Sequence, residues 1–205
     1  MNKHTEKIRN RYNRVSKFYD IMDKPMEMMT PETWRKEILN GVEGKVLEVG
    51  VGTGKNIKYY PDLVDITGID FSEKMLDKAK EKARFMRKSL KLLNMDVQNL
   101  EFEDNTFDYI FTTYVFCSVP DPIEGLKEIK RVLKPGGKLI MLEHVRSKNL
   151  LLGLLMDLLN PLVVRMIGAN INRNTVENIE KAGFRNSFVE NRVGDIVKFI
   201  SVIND

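Results

Sequence analysis

VLEVGVGTGKN, residues 46–56, decides the fold. Val46, Leu47 and Val49 form a short apolar, β-branched run, which predicts a buried strand. Gly50, Gly52 and Gly54 follow at alternate positions, so the chain leaves the strand through a tight bend whose backbone approaches closely whatever lies above it. The bend is expected to open a helix. A second apolar segment, residues 64–69, predicts the next strand and ends on Asp70, twenty residues past Gly50. Strand, glycine bend, helix, strand and terminal carboxylate are the layout of a nucleotide-type site at the C-terminal edge of a parallel sheet.

The alternation continues toward the C-terminus. Ser72 is expected to cap a helix reaching about residue 88, with Met75, Leu76, Ala79 and Ala83 on its inner face. Strands are expected over 90–95, 107–114 and 138–145. A helix over 123–133 is stopped by Pro135-Gly136-Gly137. A helix over 175–182 follows, then strands over 184–190 and 195–203 joined by a short link at Gly194, which suits an antiparallel pair. The expected fold class is α/β: a Rossmann-like, seven-stranded, mostly parallel sheet with one antiparallel strand and helices on both faces.

Residues 1–40 read as a helical N-terminal cap. Ile8, Tyr12, Val15 and Tyr19 recur at helical spacing among Lys7, Arg9, Arg11, Arg14 and Lys17. Thr30 is expected to cap a second helix with Pro31 in its first position, and Gly41 to end it. Residues 149–170, rich in leucine and valine, read as an insert near the acceptor side of the site. All 205 residues are expected to form one domain.

Composition narrows the function classes. Hydrophobic residues make up 42% and charged residues 30%, an ordinary globular balance. The single cysteine, Cys117, excludes a disulfide framework and a Cys-rich zinc site, and two histidines, His4 and His144, leave little for a metal centre; no metal is expected. A net charge of +4 is too mild to argue for nucleic acid. The basic N-terminal stretch lacks the apolar region of a signal peptide. The longest apolar run, residues 150–159, is broken by Gly153 and Asp157 and is expected to stop at Pro161, short of a membrane span. A cytoplasmic location is expected, with contact at a membrane surface left open.

The glycine bend also discriminates between ligands. A dinucleotide site wants G-x-G-x-x-G, but here the third glycine comes one residue early and Lys55 stands where that glycine belongs. Glu48 before the bend opposes a pyrophosphate and favours a cation. S-adenosylmethionine carries a sulfonium and an ammonium and no phosphate, so the pattern favours it over a dinucleotide or a purely structural turn.

Four segments in order, VLEVGVGTGKN, GIDFS, NMDVQNLEFEDNTFDYIFTTYVFCSVPD and LKPGGKLIMLEH, resemble the motif series of class I S-adenosylmethionine-dependent methyltransferases over about residues 45–145. The resemblance implies that Gly50, Gly52 and Gly54 pass under the methionine part of the cofactor and that Glu48 holds its ammonium through water. It implies that Asp70 accepts the ribose hydroxyls and Phe71 lies against the adenine. Asp96 would bind the adenine amino group, Val97 would donate a backbone N–H to the ring, and Thr113 would border the reacting methyl. Met75 joins this cofactor-binding set. Phe71 and Val97 also fit a plain core, and Asp96 a turn.

Two finer likenesses follow. YNRVSKFYD, residues 12–20, resembles a segment of bacterial phospholipid N-methyltransferases and quinone-biosynthesis C-methyltransferases, which would set Tyr12 and Tyr19 beside the cofactor or acceptor. CSV at 117–119, Glu143-His144, and an aliphatic insert followed by N-x-x-T-V-x-x-I-x-x-A-G-F at 172–184 are similar to membrane-associated thiol methyltransferases and their phospholipid-modifying relatives. His144, at the crevice end of a strand, reads either as an acceptor-side base or as a hydrogen-bonded residue closing the sheet. Glu143 is pleated to the opposite face, and Cys117 reads as a small buried residue rather than a nucleophile.

The implied activity is methyl transfer to a small amphiphilic or lipid acceptor, first a phospholipid amino headgroup. The alternatives are carbon methylation of a quinone precursor, S-methylation of a thiol and, distantly, a non-catalytic cofactor sensor. The segment Thr113-Tyr114-Val115-Phe116 lacks the N/D-P-P-Y signature of base methylation, so no nucleic-acid partner is expected. The basic N-terminal helix suits an anionic membrane surface. Met22, Met26, Met28 and Met29, with residues 149–170, read as a lid over an apolar acceptor or else as packing that caps the sheet.

Overall fold

The computed structural model describes residues 3–22, 24–28 and 30–205. Seven strands form one sheet: β1 (Lys45–Val49), β2 (Asp65–Asp70), β3 (Lys91–Asn94), β4 (Phe107–Thr113), β5 (Leu133–His144), β6 (Phe188–Val193) and β7 (Val197–Ile203), in the order β3-β2-β1-β4-β5-β7-β6. β7 runs antiparallel to both its neighbours, while the pairs from β3 to β5 are parallel. The order reverses between β1 and β4, which places the crevice for a ligand at their C-terminal ends.

Period-two alternation sends side chains of each strand to opposite faces, and two cores result. On one face Leu47, Val49, Ile110 and Met141 pack with Leu126, Ile129 and Val132 of α6 (Pro122–Val132) and Ile179 of α8 (Thr175–Lys181). On the other, Val46, Phe111 and Leu142 pack with Ile38 of α4 (Glu32–Ile38) and Leu76 and Ala79 of α5 (Glu73–Phe85). Ser72 caps α5 by accepting from the Met75 N–H, as expected, and Asp121 does the same for α6 through Glu124. The N-terminal cap consists of α1 (Lys3–Val15), α2 (Tyr19–Met22) and α3 (Lys24–Met28); α1 lies against α5 and against α7 (Leu150–Ile167). Met29 lies outside the described residues.

Four expectations need correction. The glycine bend leads into a single 3-10 turn, Ile57–Tyr59, rather than a helix, because Pro61 forces Tyr60 into an extended conformation. Thr30 caps nothing: its hydroxyl donates to the Met26 carbonyl and pairs with the Tyr114 hydroxyl, leaving Pro31 at the α4 N-cap position. α4 ends at Leu39, before Gly41. Pro161 does not stop its helix. α7 runs through it for 18 residues, held before the proline by Arg146 with Asp157 and by the Ile171 N–H donating to Asn160, and after it by Arg11 donating to the Val164 carbonyl.

Candidate active site

The C-terminal ends of β1, β2 and β4 surround a cleft. Gly50 takes φ +72°, and a Cβ there would stand 2.4 Å from Val115 Cγ2, so only glycine fits. Gly52 has open space above it, and its N–H donates to Asp70 Oδ2 at 2.9 Å. The Ser72 N–H donates to Asp70 Oδ1 at 2.8 Å. Each carboxylate oxygen keeps lone-pair capacity beyond these bonds, enough for a pair of vicinal hydroxyls. Burial raises the Asp70 pKa to about 6, against the pull of the Ser72 and Gly52 N–H groups.

Phe71, Met75, Met95, Val97 and Ile69 give the cleft an apolar slot, and Asp96 stands at its edge, tied to the Gln98 N–H and amide. Thr113, Tyr12 and Tyr19 complete the wall. Tyr12 packs edge-on against Phe71 and beside Tyr19, and its hydroxyl bonds Ser118. No lysine or arginine lines the cleft among the described residues. A diphosphate would find no countercharge there, whereas a cationic, phosphate-free ligand with a ribose and a flat apolar ring fits the groups present.

Two expected residues stand behind the wall. Gly54 faces Ile57 and Ala79 and is a packing glycine between the bend and α5. Glu48 is buried beneath the bend: Oε1 accepts from Asn56 at 2.7 Å, while Oε2 has no partner among the described residues. Burial raises its pKa to about 8 despite the Asn56 bond and the nearby Arg35 charge. Asn56 also donates to Thr113 Oγ1 at 3.0 Å and accepts from Arg35 at 2.7 Å. The carboxylate thus addresses the cleft through Asn56 and Thr113. Asn56 and Arg35 carry no sequence signal, because their meeting depends on the fold.

A second cavity adjoins the first, sharing Tyr12, Tyr19 and Tyr114. Its other walls are Val15, Met22 and Met26 from the cap, Ile167 and Ile171 from around the end of α7, and His144 and Cys117 from the sheet. His144 therefore faces this cavity and not the first. Burial lowers its pKa, partly offset by the Ile171 backbone, and Nδ1 has no partner among the described residues. The ring is a neutral base at pH 7. Burial pushes the Cys117 thiol up to about 12, so it is no nucleophile. No carboxylate, lysine or arginine lines this cavity among the described residues. Glu143 does point away from it. It accepts from Thr112 Oγ1 and from the Val115 and Phe116 N–H groups, pinning the turn where Tyr114 takes φ +56° between the two cavities.

Comparison with known proteins agrees with this layout. The family described as "Methyltransferase domain" matches residues 47–141. A demethylmenaquinone methyltransferase of Staphylococcus aureus is 38% identical over 146 residues, 67% of this chain and 60% of that protein; the chain thus spans less than two thirds of that relative's length. A SAM-dependent methyltransferase from Aquifex aeolicus shares the fold with a TM-score of 0.69 at 23% identity, covering 93% of this chain and 98% of that one. A SAM-dependent methyltransferase from Thermotoga maritima, described as a possible histamine N-methyltransferase, has the same TM-score and coverage at 21% identity.

Proposed function

We propose that this chain is a class I, S-adenosylmethionine-dependent methyltransferase that methylates a carbon of a small, uncharged aromatic acceptor of the quinol type; the methyltransferase-domain match over residues 47–141 supports the class. The observation that carries this reading is the second cavity: apolar, without charged side chains among the described residues, and furnished with a neutral His144. A phospholipid amino headgroup needs a countercharge that those walls do not offer, and so ranks second despite the likeness of residues 12–20. The identity with demethylmenaquinone methyltransferase supports the same order.

In this reading the methionine part of the cofactor lies over Gly50 and Gly52, the ribose on Asp70, and the adenine in the slot of Phe71, Met75 and Val97 beside Asp96. When bound, S-adenosylmethionine supplies an electrophilic methyl on a sulfonium. Tyr12, Tyr19 and Tyr114 exclude water between the cavities and hold the acceptor ring for in-line transfer. His144 Nδ1 takes the acceptor's hydroxyl proton, which places electron density on the neighbouring ring carbon; the proton that this carbon later releases leaves to water. His144 and Tyr19 are thus the residues at the acceptor.

The test is transfer of labelled methyl from the cofactor to demethylmenaquinol, phosphatidylethanolamine or a small thiol. Label in the quinol alone is expected; label in the phospholipid alone overturns the acceptor assignment. His144→Gln should lower kcat by about a hundredfold or more with cofactor affinity unchanged. The acid limb of the wild-type pH profile should lie below the usual histidine value of 6.5, because burial lowers this pKa. An unchanged kcat in the variant removes His144 from the chemistry.

A further inference from the structure

We infer that α7 lies in the plane of an anionic bilayer and delivers an apolar acceptor from it to the second cavity. The inference rests on the reading above for what the cavity holds. Nine of the seventeen exposed large hydrophobic side chains among the described residues belong to this one helix. Four more, including Phe18 and Ile21, lie on the cap segment that forms the opposite wall of the cavity.

The two sides of α7 differ in what they meet. Gly153 and Met156 are buried, Asp157 binds Arg146 and Asn172, Asn160 accepts from the Ile171 N–H, and the Val164 carbonyl accepts from Arg11. At 100° per residue these positions form one stripe fastened to the domain. Leu151, Leu155, Leu158, Leu162 and Met166 fall on the opposite stripe and are exposed. The helix has a mean hydropathy of 1.9, high enough for a membrane span by composition. Its inner stripe is engaged by the domain along the length of the helix, so it lies against the protein with its outer stripe free, which is the geometry of an interfacial helix.

Charge selects the occupant. Lys148 and Arg165 are exposed beside the leucines, Lys7 and Arg14 are exposed on α1, which Arg11 joins to α7, and Lys17 is exposed just past the end of α1. The one acidic residue of α7, Asp157, is paired with Arg146 on the inner side. A second copy docked across a two-fold axis would bring these cations face to face. An anionic lipid surface neutralises them while the leucines enter the acyl boundary. Ile167, in the last turn of α7, lines the cavity, so a lipid-soluble acceptor has a short apolar path inward.

The experiment is co-sedimentation of the full chain with vesicles of phosphatidylethanolamine containing phosphatidylglycerol, or of phosphatidylcholine alone. Alongside it run S-adenosylhomocysteine calorimetry and sedimentation velocity without lipid. Wild type should pellet with the anionic vesicles, and Leu155→Gln/Leu158→Gln should lose about tenfold or more of that partition while binding S-adenosylhomocysteine equally well. Wild type failing to pellet, or the double variant pelleting equally, overturns the inference. So does a lipid-free dimer that the double variant breaks, which assigns the face to a second copy. Loss of S-adenosylhomocysteine binding in both chains counts against the methyltransferase reading and is read independently of the vesicles.

Discussion

Glu48 concentrates the electrostatics of the site in one side chain. With a pKa near 8 it holds a proton at pH 7, sealed under the glycine bend with one oxygen unpartnered. A cation above Thr113 and Asn56 favours the ionised form, so cofactor binding near pH 7 should release up to about one proton. Calorimetry in buffers of different ionisation enthalpy measures this. The release should vanish in Glu48→Gln, and a release that persists there assigns the proton to another group. Stability supplies a second sign. A carboxyl whose pKa rises on folding from 4.5 to about 8 binds more protons folded than unfolded across that window. Its contribution is complete at low pH and is lost as pH rises through the window. Asp70, raised to about 6, and Glu143, raised to about 7, act in the same sense. The melting temperature of the apoprotein should therefore fall from pH 5 to pH 8, and less steeply in Glu48→Gln.

At the scale of elements, the bend after β1 joins fold to function. Gly50→Ala puts a Cβ at φ +72° within 2.4 Å of Val115 Cγ2. The expected results are a lower melting temperature and at least about tenfold weaker S-adenosylhomocysteine binding. Gly136→Ala is the control: φ is +77°, but nothing lies within 4 Å, so it should cost about 1 kcal/mol and leave cofactor affinity intact. Equal cofactor affinity in both variants refutes a close approach at Gly50. These elements were legible because local patterns specify them: the apolar run of β1, the Ser72 cap, the β-branched β4, the short link before β7. What was not legible depends on distant partners. Pro161 reads as a stop until Arg146 is seen holding α7 before it and Arg11 after it. Thr30 reads as a cap until Tyr114, 84 residues away, takes its hydroxyl. The face of Glu143 follows from the pleat, but its two backbone donors, the Val115 and Phe116 N–H groups, meet it only because the chain turns at Tyr114.

Across the whole molecule, the cofactor cleft is roofed by the N-terminal cap, and the cap is fastened to the floor by polar contacts. Thr53 of the glycine bend donates to Asp20 at 2.7 Å, Lys55 to Glu27 at 2.9 Å and Arg35 to Glu27 at 3.0 Å. Tyr12 and Tyr19 stand between roof and cleft, so exchange of a ligand the size of S-adenosylmethionine is expected to follow the lifting of residues 19–22 and 24–28. Glu27 is the hub of this fastening, accepting from a buried arginine and from the lysine that follows the bend. Glu27→Gln removes its charge and keeps its shape. With the carboxylate partly exposed, the loss is about 1 kcal/mol, which corresponds to roughly fivefold faster dissociation of S-adenosylhomocysteine. Stopped-flow displacement reads that rate, and hydrogen exchange of residues 19–28 reads the opening directly; both should rise together in the variant. Faster dissociation with unchanged exchange would place the effect in the cleft and not in the roof. Unchanged values of both would leave these contacts without a gating role.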